Sequence, residues 1–110
     1  MARWMLVVEA NCTDPSGEKE FNEWYDKVHL PDVLELPGIL SASRYEKANL
    51  HEGQCKFLAL YEVETEDMKK VWATIEKMFP KWSQQGRMSK HIKIGPIGFY
   101  RQITPPVKRK

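Results

Sequence analysis

One short stretch of the sequence carries the residues best suited to acid–base chemistry. Within FNEWYDKVHLPDVLELPG, residues 21–38, His29 follows Tyr25 by four residues and Asp26 by three, so the three side chains share one surface of a helix. Imidazole titrates near neutrality and can accept or donate a proton at physiological pH. His29 is therefore a candidate general base or acid at the mouth of a pocket between this helix and a sheet. The structural alternative is a histidine in the last helical turn that bonds the free carbonyls and suits the negative end of the helix dipole.

An arginine on a predicted strand is the second candidate. Arg44 alternates with Leu40 and Ala42. An arginine that shares a face with apolar residues either pairs with a carboxylate or faces an anionic ligand. The ion pair is the first expectation, with Glu62 or Glu9 as the partner.

Aromatic side chains complete the candidate site. Tyr45 and Tyr61 lie on different predicted strands, and Tyr25 and Trp24 lie on the helix. A tyrosine hydroxyl in a pocket can polarise a carbonyl or orient an enol, although packing with a satisfied hydroxyl is the commoner role. Trp24 is expected in the core or in the pocket wall.

The sequence offers little to hold a metal, a cofactor or a covalent intermediate. His29, His51 and His91 are far apart, and the two cysteines lack C-x2-C spacing. There is no glycine-rich phosphate loop. A lone histidine is enough to ligate haem, but no other feature asks for haem. We therefore expect chemistry that uses no metal and no cofactor.

Composition restricts the class of protein and its partners. The 110 residues suffice for one compact domain, predicted at 1–104, followed by a basic tail at 105–110. The formal net charge is +2, part of which lies in the tail, and no basic stripe of the kind that binds nucleic acid is visible. There is no disulfide framework, no secretory leader pattern and no apolar run of about 18 residues. These features predict a cytoplasmic protein that binds neither nucleic acid nor membranes.

Hydrophobic periodicity predicts the elements that position these residues. We predict strands at 4–10, 39–48, 55–64 and 95–104, with residues 80–94 irregular. One helix starts near Glu18 and ends before Pro31, where a further short helical turn begins and runs to Pro37-Gly38. The second helix is capped by Thr65 and ends near Pro80. The order β-α-β-β-α-β predicts a ferredoxin-like α+β fold, a four-stranded antiparallel sheet with two helices on one face and the last strand at an edge.

The predicted sheet is apolar on both faces. The first strand places Leu6 and Val8 on one face and Met5 and Val7 on the other. Two helices cover only one face, and leaving several hundred Å² of the other in water forgoes on the order of 10 kcal/mol. We therefore expect a homodimer that packs sheet against sheet.

The order of these motifs resembles a known family. Trp24-Tyr25, His29, Pro31, Pro37-Gly38 and then Arg44-Tyr45 look like the pattern of the EthD-like branch of the dimeric α/β-barrel superfamily, whose members typically read W-Y-x3-H-x-P, then P-G, then an Arg-Tyr on the second strand. The resemblance covers nearly the whole chain and is weakest over residues 80–94. It implies a ferredoxin-like protomer, a barrel-like dimer and a site role for His29. The wider superfamily includes muconolactone isomerase, olivetolic acid cyclase, antibiotic-biosynthesis monooxygenases and haem-handling enzymes.

Together these residues favour a cofactor-free lyase, isomerase or cyclase acting on a small apolar carbonyl or phenolic compound, such as a polyketide or an aromatic catabolite. His29 would be catalytic, because one good acid–base residue suits proton transfer better than hydrolysis, which usually needs a nucleophile as well. The predicted substrate-binding residues are Trp24, Tyr25, Arg44, Tyr45 and Tyr61. The alternatives are a non-catalytic ligand-binding or accessory protein that uses the same cavity, and a cofactor-independent monooxygenase.

Overall fold

The computed structural model describes all 110 residues and has the predicted β-α-β-β-α-β order. Its four strands form one antiparallel sheet in the order β2-β3-β1-β4. They are β1 (Arg3–Cys12), β2 (Ile39–Glu46), β3 (Phe57–Glu64) and β4 (Ile92–Arg101). The helices pack on one face of the sheet, so the predicted ferredoxin-like fold is confirmed.

The first helical segment does not end at His29, and the predicted break before Pro31 is wrong. Helical backbone continues from α1 (Glu18–Trp24) through a π turn (Tyr25–His29) into α2 (Leu30–Leu34). In the π turn the Leu30 amide donates to the Tyr25 carbonyl, five residues back instead of four. A proline lacks a donor and its ring crowds the carbonyl four residues earlier. The wider turn lies directly before Pro31, where it relieves this crowding.

The second helix, α3 (Met68–Gln84), also passes a proline at which it was predicted to end. Pro80 is exposed, and Trp82 beyond it is buried in the core, so packing continues the helix for another turn. The amino-terminal cap is Asp67, whose carboxylate accepts from the Lys70 amide, rather than Thr65. Gly86 then ends the helix at φ +72°, with the Arg87 amide donating to the Trp82 carbonyl at 2.8 Å.

The last strand lies at an edge of the sheet, as predicted, but it begins three residues earlier. Its register against β1 shifts between Val8 and Ala10, which pair with Ile97 and Ile94. One residue of β1 therefore faces two of β4, one of which is Pro96. A proline has no amide hydrogen for the ladder, so a bulge on an edge strand is where a sheet tolerates it.

The core lies between the helices and the inner face of the sheet. It contains Leu6, Val8, Phe21, Phe57, Val63 and Ile75 among others. On the outer face, Val7 pairs with Leu60 across the two central strands, and both are only half-buried. No helix covers this outer face. None of the helices combines the length and the apolar character of a membrane-spanning segment.

Candidate functional site

The candidate site is built around His29, which is 4% exposed in the interior of the first helical segment. Its ring stacks on Trp24 with centroids 4.9 Å apart and meets the edge of Tyr25 at 5.0 Å. From α3, Phe79 stacks on the other side at 6.2 Å and Trp82 approaches edge-on at 5.7 Å. These five rings form an aromatic cluster, and His29 is its only titratable imidazole.

The π turn determines which neighbours His29 has. In a regular α-helix, side chains three or four residues apart are neighbours. Here Trp24 lies five residues before His29, and the two rings nevertheless stack. The extra residue in the turn thus brings Trp24 and His29 onto one face. His29 is therefore placed by the interior of a helix and not by its end, so the helix-cap alternative does not apply.

Burial lowers the pKa of His29 from its usual 6.5 to about 4, with Asp32 opposing the shift and the Arg44 charge adding to it. The imidazole is therefore neutral at physiological pH. Its Nδ1 atom is buried and has no hydrogen-bond partner. Buried polar atoms are usually paired, so an unpaired ring nitrogen marks a position that can accept or donate a hydrogen bond.

A small cavity adjoins His29 between the helices and the sheet. It has a volume of about 10 Å³, roughly the space of one water molecule. Apart from His29, its walls are aliphatic and aromatic, and they include Leu6, Tyr25, Tyr61, Trp72 and Phe79. The expectation of an apolar cavity beside the histidine matches this arrangement, but the cavity is far smaller than the pockets that hold drug-sized ligands.

Two tyrosines, Tyr25 and Tyr61, meet beside this cavity, and each is at most 2% exposed. Burial raises the pKa of both hydroxyls. The two hydroxyls also affect each other, which opposes the rise in the pKa of Tyr25 and adds to that of Tyr61. Both phenols therefore stay neutral at physiological pH.

Arg44 forms the predicted ion pair, but its partner is on the helix. The guanidinium donates to the Asp26 carboxylate and to the Asn22 amide oxygen, both at 2.9 Å. The predicted partners Glu62 and Glu9 are wrong, because both lie on the outer face of the sheet, where Glu62 approaches Arg3. Arg44 lies on the inner face with Ala59 opposite it.

The guanidinium of Arg44 also packs on aromatic rings. It lies 4.2 Å from the centroid of Tyr25 and 5.4 Å from that of Phe57. The outer side of Arg44 borders an open groove of about 360 Å³ between α1 and β2. Arg44 thus lies between the open groove and the buried tyrosine pair, against the ring of Tyr25.

Tyr45 does not join the other predicted site residues. Neighbouring residues of a strand point to opposite faces, and Tyr45 pairs with Leu58 on the outer face while Arg44 points inward. Its side chain is 56% exposed and lines the outer rim of the groove. The structure therefore brings together Trp24, Tyr25, His29, Arg44 and Tyr61, and it places Tyr45 apart from them.

Two site residues are absent from the sequence prediction. The Arg87 guanidinium forms a bidentate ion pair with Asp32, with both N–O distances at 2.8 Å. The Arg87 carbonyl accepts a hydrogen bond from the Trp24 indole, also at 2.8 Å. Asp32 lies 55 positions before Arg87, and no pattern in one sequence pairs residues so far apart.

Replacing Arg44 by methionine is expected to lower the free energy of unfolding by about 1–3 kcal/mol, the range for charge-assisted hydrogen bonds and a cation–π contact at a largely buried guanidinium. The matched control is Lys56→Met, which removes a more exposed cation paired with Glu18 and should cost less than Arg44→Met. Urea denaturation of the two variants measures both effects. Equal losses would mean that the Arg44 contacts add nothing beyond a surface pair.

Comparison with known proteins identifies solved structures that share the fold of this chain. No family model and no curated protein matches the sequence. Among solved structures, HapK from Hahella chejuensis shares 12% identity over 97% of this chain and 99% of its own, with a TM-score of 0.71. A dimeric ferredoxin-like protein from an uncultured marine organism shares 14% identity over 96% of this chain and 100% of its own, at a TM-score of 0.65.

An EthD-family protein from Bacillus halodurans shares 16% identity over 89% of this chain and 97% of its own, at a TM-score of 0.53. The chain therefore shares the ferredoxin-like fold of these solved structures. This confirms the resemblance to the EthD-like branch at the level of the fold. Reaction and substrate have to be argued from the site itself, because one fold hosts many chemistries.

Proposed function

We propose that the protein is a small-molecule enzyme that transfers a proton on a small carbonyl or phenolic compound without a cofactor, as a lyase, isomerase or cyclase. The observation that carries this proposal is the neutral His29, whose Nδ1 is buried and unpaired beside an apolar cavity. A general base has to be unprotonated before it acts, and burial secures that state. The adjoining neutral tyrosines supply the hydrogen-bond donors that such a reaction needs.

The chemistry assigns one role to each group. His29 Nδ1 removes a proton from the carbon next to a carbonyl or from a phenol. In the first case the C–H electron pair forms the enolate double bond and the carbonyl π pair moves onto oxygen; in the second the O–H pair stays on the phenol oxygen. The Tyr25 hydroxyl donates a hydrogen bond to that developing oxyanion. Asp32 stabilises the imidazolium, since its charge favours protonated His29. Because burial disfavours that cation, the proton returns readily to a different atom of the substrate, which completes an isomerisation or a cyclisation.

The lining of the cavity supports a planar, largely apolar ligand. Its walls are aromatic and aliphatic, and the polar groups among its lining residues are the His29 imidazole, the two tyrosine hydroxyls and the Trp72 indole N–H. A cavity of about 10 Å³ admits no metabolite as it stands. Binding therefore requires the side chains that line the cavity to move.

We infer further that the working unit is a homodimer. Support comes from the outer face of the sheet, where Met5, Val7, Leu58 and Leu60 are only half-buried and no helix covers them. Burial of this face against a second copy would remove its apolar area from water. Solved structures of the same fold include dimeric ferredoxin-like proteins, which is consistent with this inference.

The second candidate function is ligand binding without chemistry, and the low pKa of His29 favours it. A base whose pKa is about 4 is weak, because effective general bases have a pKa near the working pH. In that case the protein would be a carrier or an accessory protein. The neutral imidazole and the tyrosines would form hydrogen bonds to its ligand without transferring a proton.

Hydrogen–deuterium exchange at carbon separates the two functions without knowledge of the substrate. A panel of small 1,3-dicarbonyl and phenolic compounds is incubated with the protein in D2O and followed by proton NMR. We expect catalysed exchange for at least one compound and a loss of about 10²-fold or more in His29→Phe, the usual contribution of a general base. His51→Ala, which changes an exposed histidine in the β2–β3 loop, is the matched control and should exchange at the wild-type rate.

Binding without exchange would support the carrier function instead. Exchange that survives in His29→Phe would overturn the role of His29 as the base. Because phenylalanine fills the space of the imidazole within the aromatic cluster, loss of activity in this variant would not simply reflect a hole in the core.

A further inference from the structure

The carboxylate of Asp32 lies next to His29 on the helix but is bonded to Arg87. Asp32 follows His29 by three residues within one continuous helical segment, and side chains at this spacing are neighbours on the helix surface. Both carboxylate oxygens are taken by the guanidinium: Oδ1 accepts from Nη2 and Oδ2 from Nε, each at 2.8 Å. Meanwhile the Nδ1 atom of His29 is left without a hydrogen-bond partner. Asp32 therefore serves the arginine instead of the histidine.

The backbone of Arg87 is anchored on two sides, which fixes the origin of its side chain. Its amide donates to the Trp82 carbonyl, and its carbonyl accepts from the Trp24 indole, both at 2.8 Å. Both tryptophans belong to the aromatic cluster around His29. Arg87 is thus attached to the surroundings of the imidazole by its backbone and reaches Asp32 with its guanidinium.

An unpaired Asp32 would act strongly on His29, because both groups lie in the interior. Asp32 is 9% exposed, and His29 is buried more deeply still. Charges interact more strongly where water is excluded. The charge of Asp32 already raises the pKa of His29, in opposition to the effect of burial. The hydrogen bonds and the charge of Asp32 raise the pKa of Arg87, so the arginine remains a cation that offsets this carboxylate.

The other groups that face His29 supply no second anion. Arg44, from β2, carries a positive charge that disfavours the imidazolium. Tyr25, on the same helical segment, and Tyr61, from β3, are neutral phenols. The side chains that face the imidazole or its cavity from α3 and β4 do not titrate, and they include Phe79, Trp82 and Ile94. Asp32 is therefore the carboxylate whose pairing matters for this histidine.

We propose that Arg87 is a positioning residue: it binds the Asp32 carboxylate, prevents it from pairing with His29 and so leaves the imidazole free for a ligand. This role rests on the proposed function, in which His29 begins as a free base. Without Arg87, a nearly buried carboxylate would lack a cation, which is strongly unfavourable. The imidazole one helical turn away would then take up a proton from solvent and pair with Asp32. A protonated histidine can no longer accept a proton from a substrate.

Titration of the His29 ring protons by NMR tests this role without a ligand and without an assay of activity. In the wild type, His29 should titrate near pH 4. Arg87→Met keeps a long unbranched side chain but removes the charge, and the pKa of His29 should then rise by about 1 unit or more, the range for an opposite charge at about 4–6 Å. The resonances of the exposed His51 should be the same in both proteins.

Two further variants keep the test decisive. Asp32→Asn/Arg87→Met leaves no unpaired buried carboxylate, and its His29 should have a pKa no higher than in the wild type. Lys90→Met removes an exposed cation that forms no ion pair, and it should leave the titration of His29 unchanged.

Two outcomes would overturn the proposal. One is an unchanged His29 titration in Arg87→Met, and the other is a rise that persists in the double variant, since the guanidinium would then act on the imidazole directly and not through Asp32. Neither outcome depends on whether His29 catalyses exchange, so this test and that of the proposed function fail independently.

Discussion

Leu60→Lys is expected to convert a dimer into a monomer. Leu60 lies on β3, one of the two central strands, and pairs with Val7 on the outer face. The inferred homodimer buries this face, and a twofold interface repeats each substitution. Each lysine would then lose its hydration at the centre of an apolar contact, at a cost of several kcal/mol per charge. Light scattering at micromolar concentration should change from about twice the chain mass of 12.9 kDa to 12.9 kDa itself.

A matched control distinguishes disruption of the interface from a general effect of added charge. Ala73 is exposed on α3, on the opposite side of the sheet, so Ala73→Lys should remain dimeric. Circular dichroism establishes whether the Leu60→Lys monomer keeps its fold. A wild-type protein that scatters as a stable 12.9 kDa species would contradict the dimer, and the outer face would then need another explanation.

Acidification is expected to destabilise the protein through His29 by about 3 kcal/mol, since each unit of pKa shift corresponds to about 1.36 kcal/mol. The pKa of His29 falls from 6.5 to about 4 on folding, mainly because of burial. Between these two values the unfolded chain binds a proton that the folded chain does not. The stabilising contribution is therefore complete above pH 6.5 and is lost as the pH falls through this window to 4. Urea denaturation at pH 7, 5.5 and 4 measures the free energy of unfolding directly.

The His29 contribution is isolated by difference, because carboxylates also titrate in this range. His29→Phe removes the titrating imidazole. Between pH 7 and pH 4 its free energy of unfolding should therefore fall by about 3 kcal/mol less than that of the wild type. His51→Ala changes an exposed histidine and should follow the wild type. Identical pH profiles for the wild type and His29→Phe would mean that the imidazole is solvated in the folded protein, which would also remove the basis for a neutral buried base.

Most of the fold could be predicted from strand alternation and helical periodicity, because both patterns depend only on residues near one another in the sequence. The same alternation already separates Tyr45 from Arg44, and applying it strictly to the pair would have removed Tyr45 from the predicted site. The partner of Arg44 depends instead on how α1 lies over β2. That geometry is set by packing of the whole core. No local sequence pattern marks Asp26 or Asn22 as a partner of Arg44.

The surroundings of His29 were the least predictable part. Pro31 is a reliable sign that a regular helix is disturbed, but sequence does not say whether the chain ends the helix or widens one turn. Likewise, Pro80 is tolerated inside α3 because Phe79, directly before it, and Trp82, two residues after it, both pack against His29. The Arg87–Asp32 pair joins two segments that approach only after α3 has folded onto the sheet. Tertiary contacts decided each of these cases.

The π turn also has a consequence for how chain length encodes this site. An α-helix advances by about 100° per residue, so a residue added to a regular helix would rotate everything that follows by that angle. The wider π turn takes up the extra residue and leaves Trp24 and His29 on one face. Deletion of the exposed Lys27 would return the segment to regular α-helical geometry with Trp24 and His29 four residues apart, a spacing at which helical side chains are neighbours. A search for proteins that share this site should therefore accept a tryptophan–histidine interval of four residues as well as five.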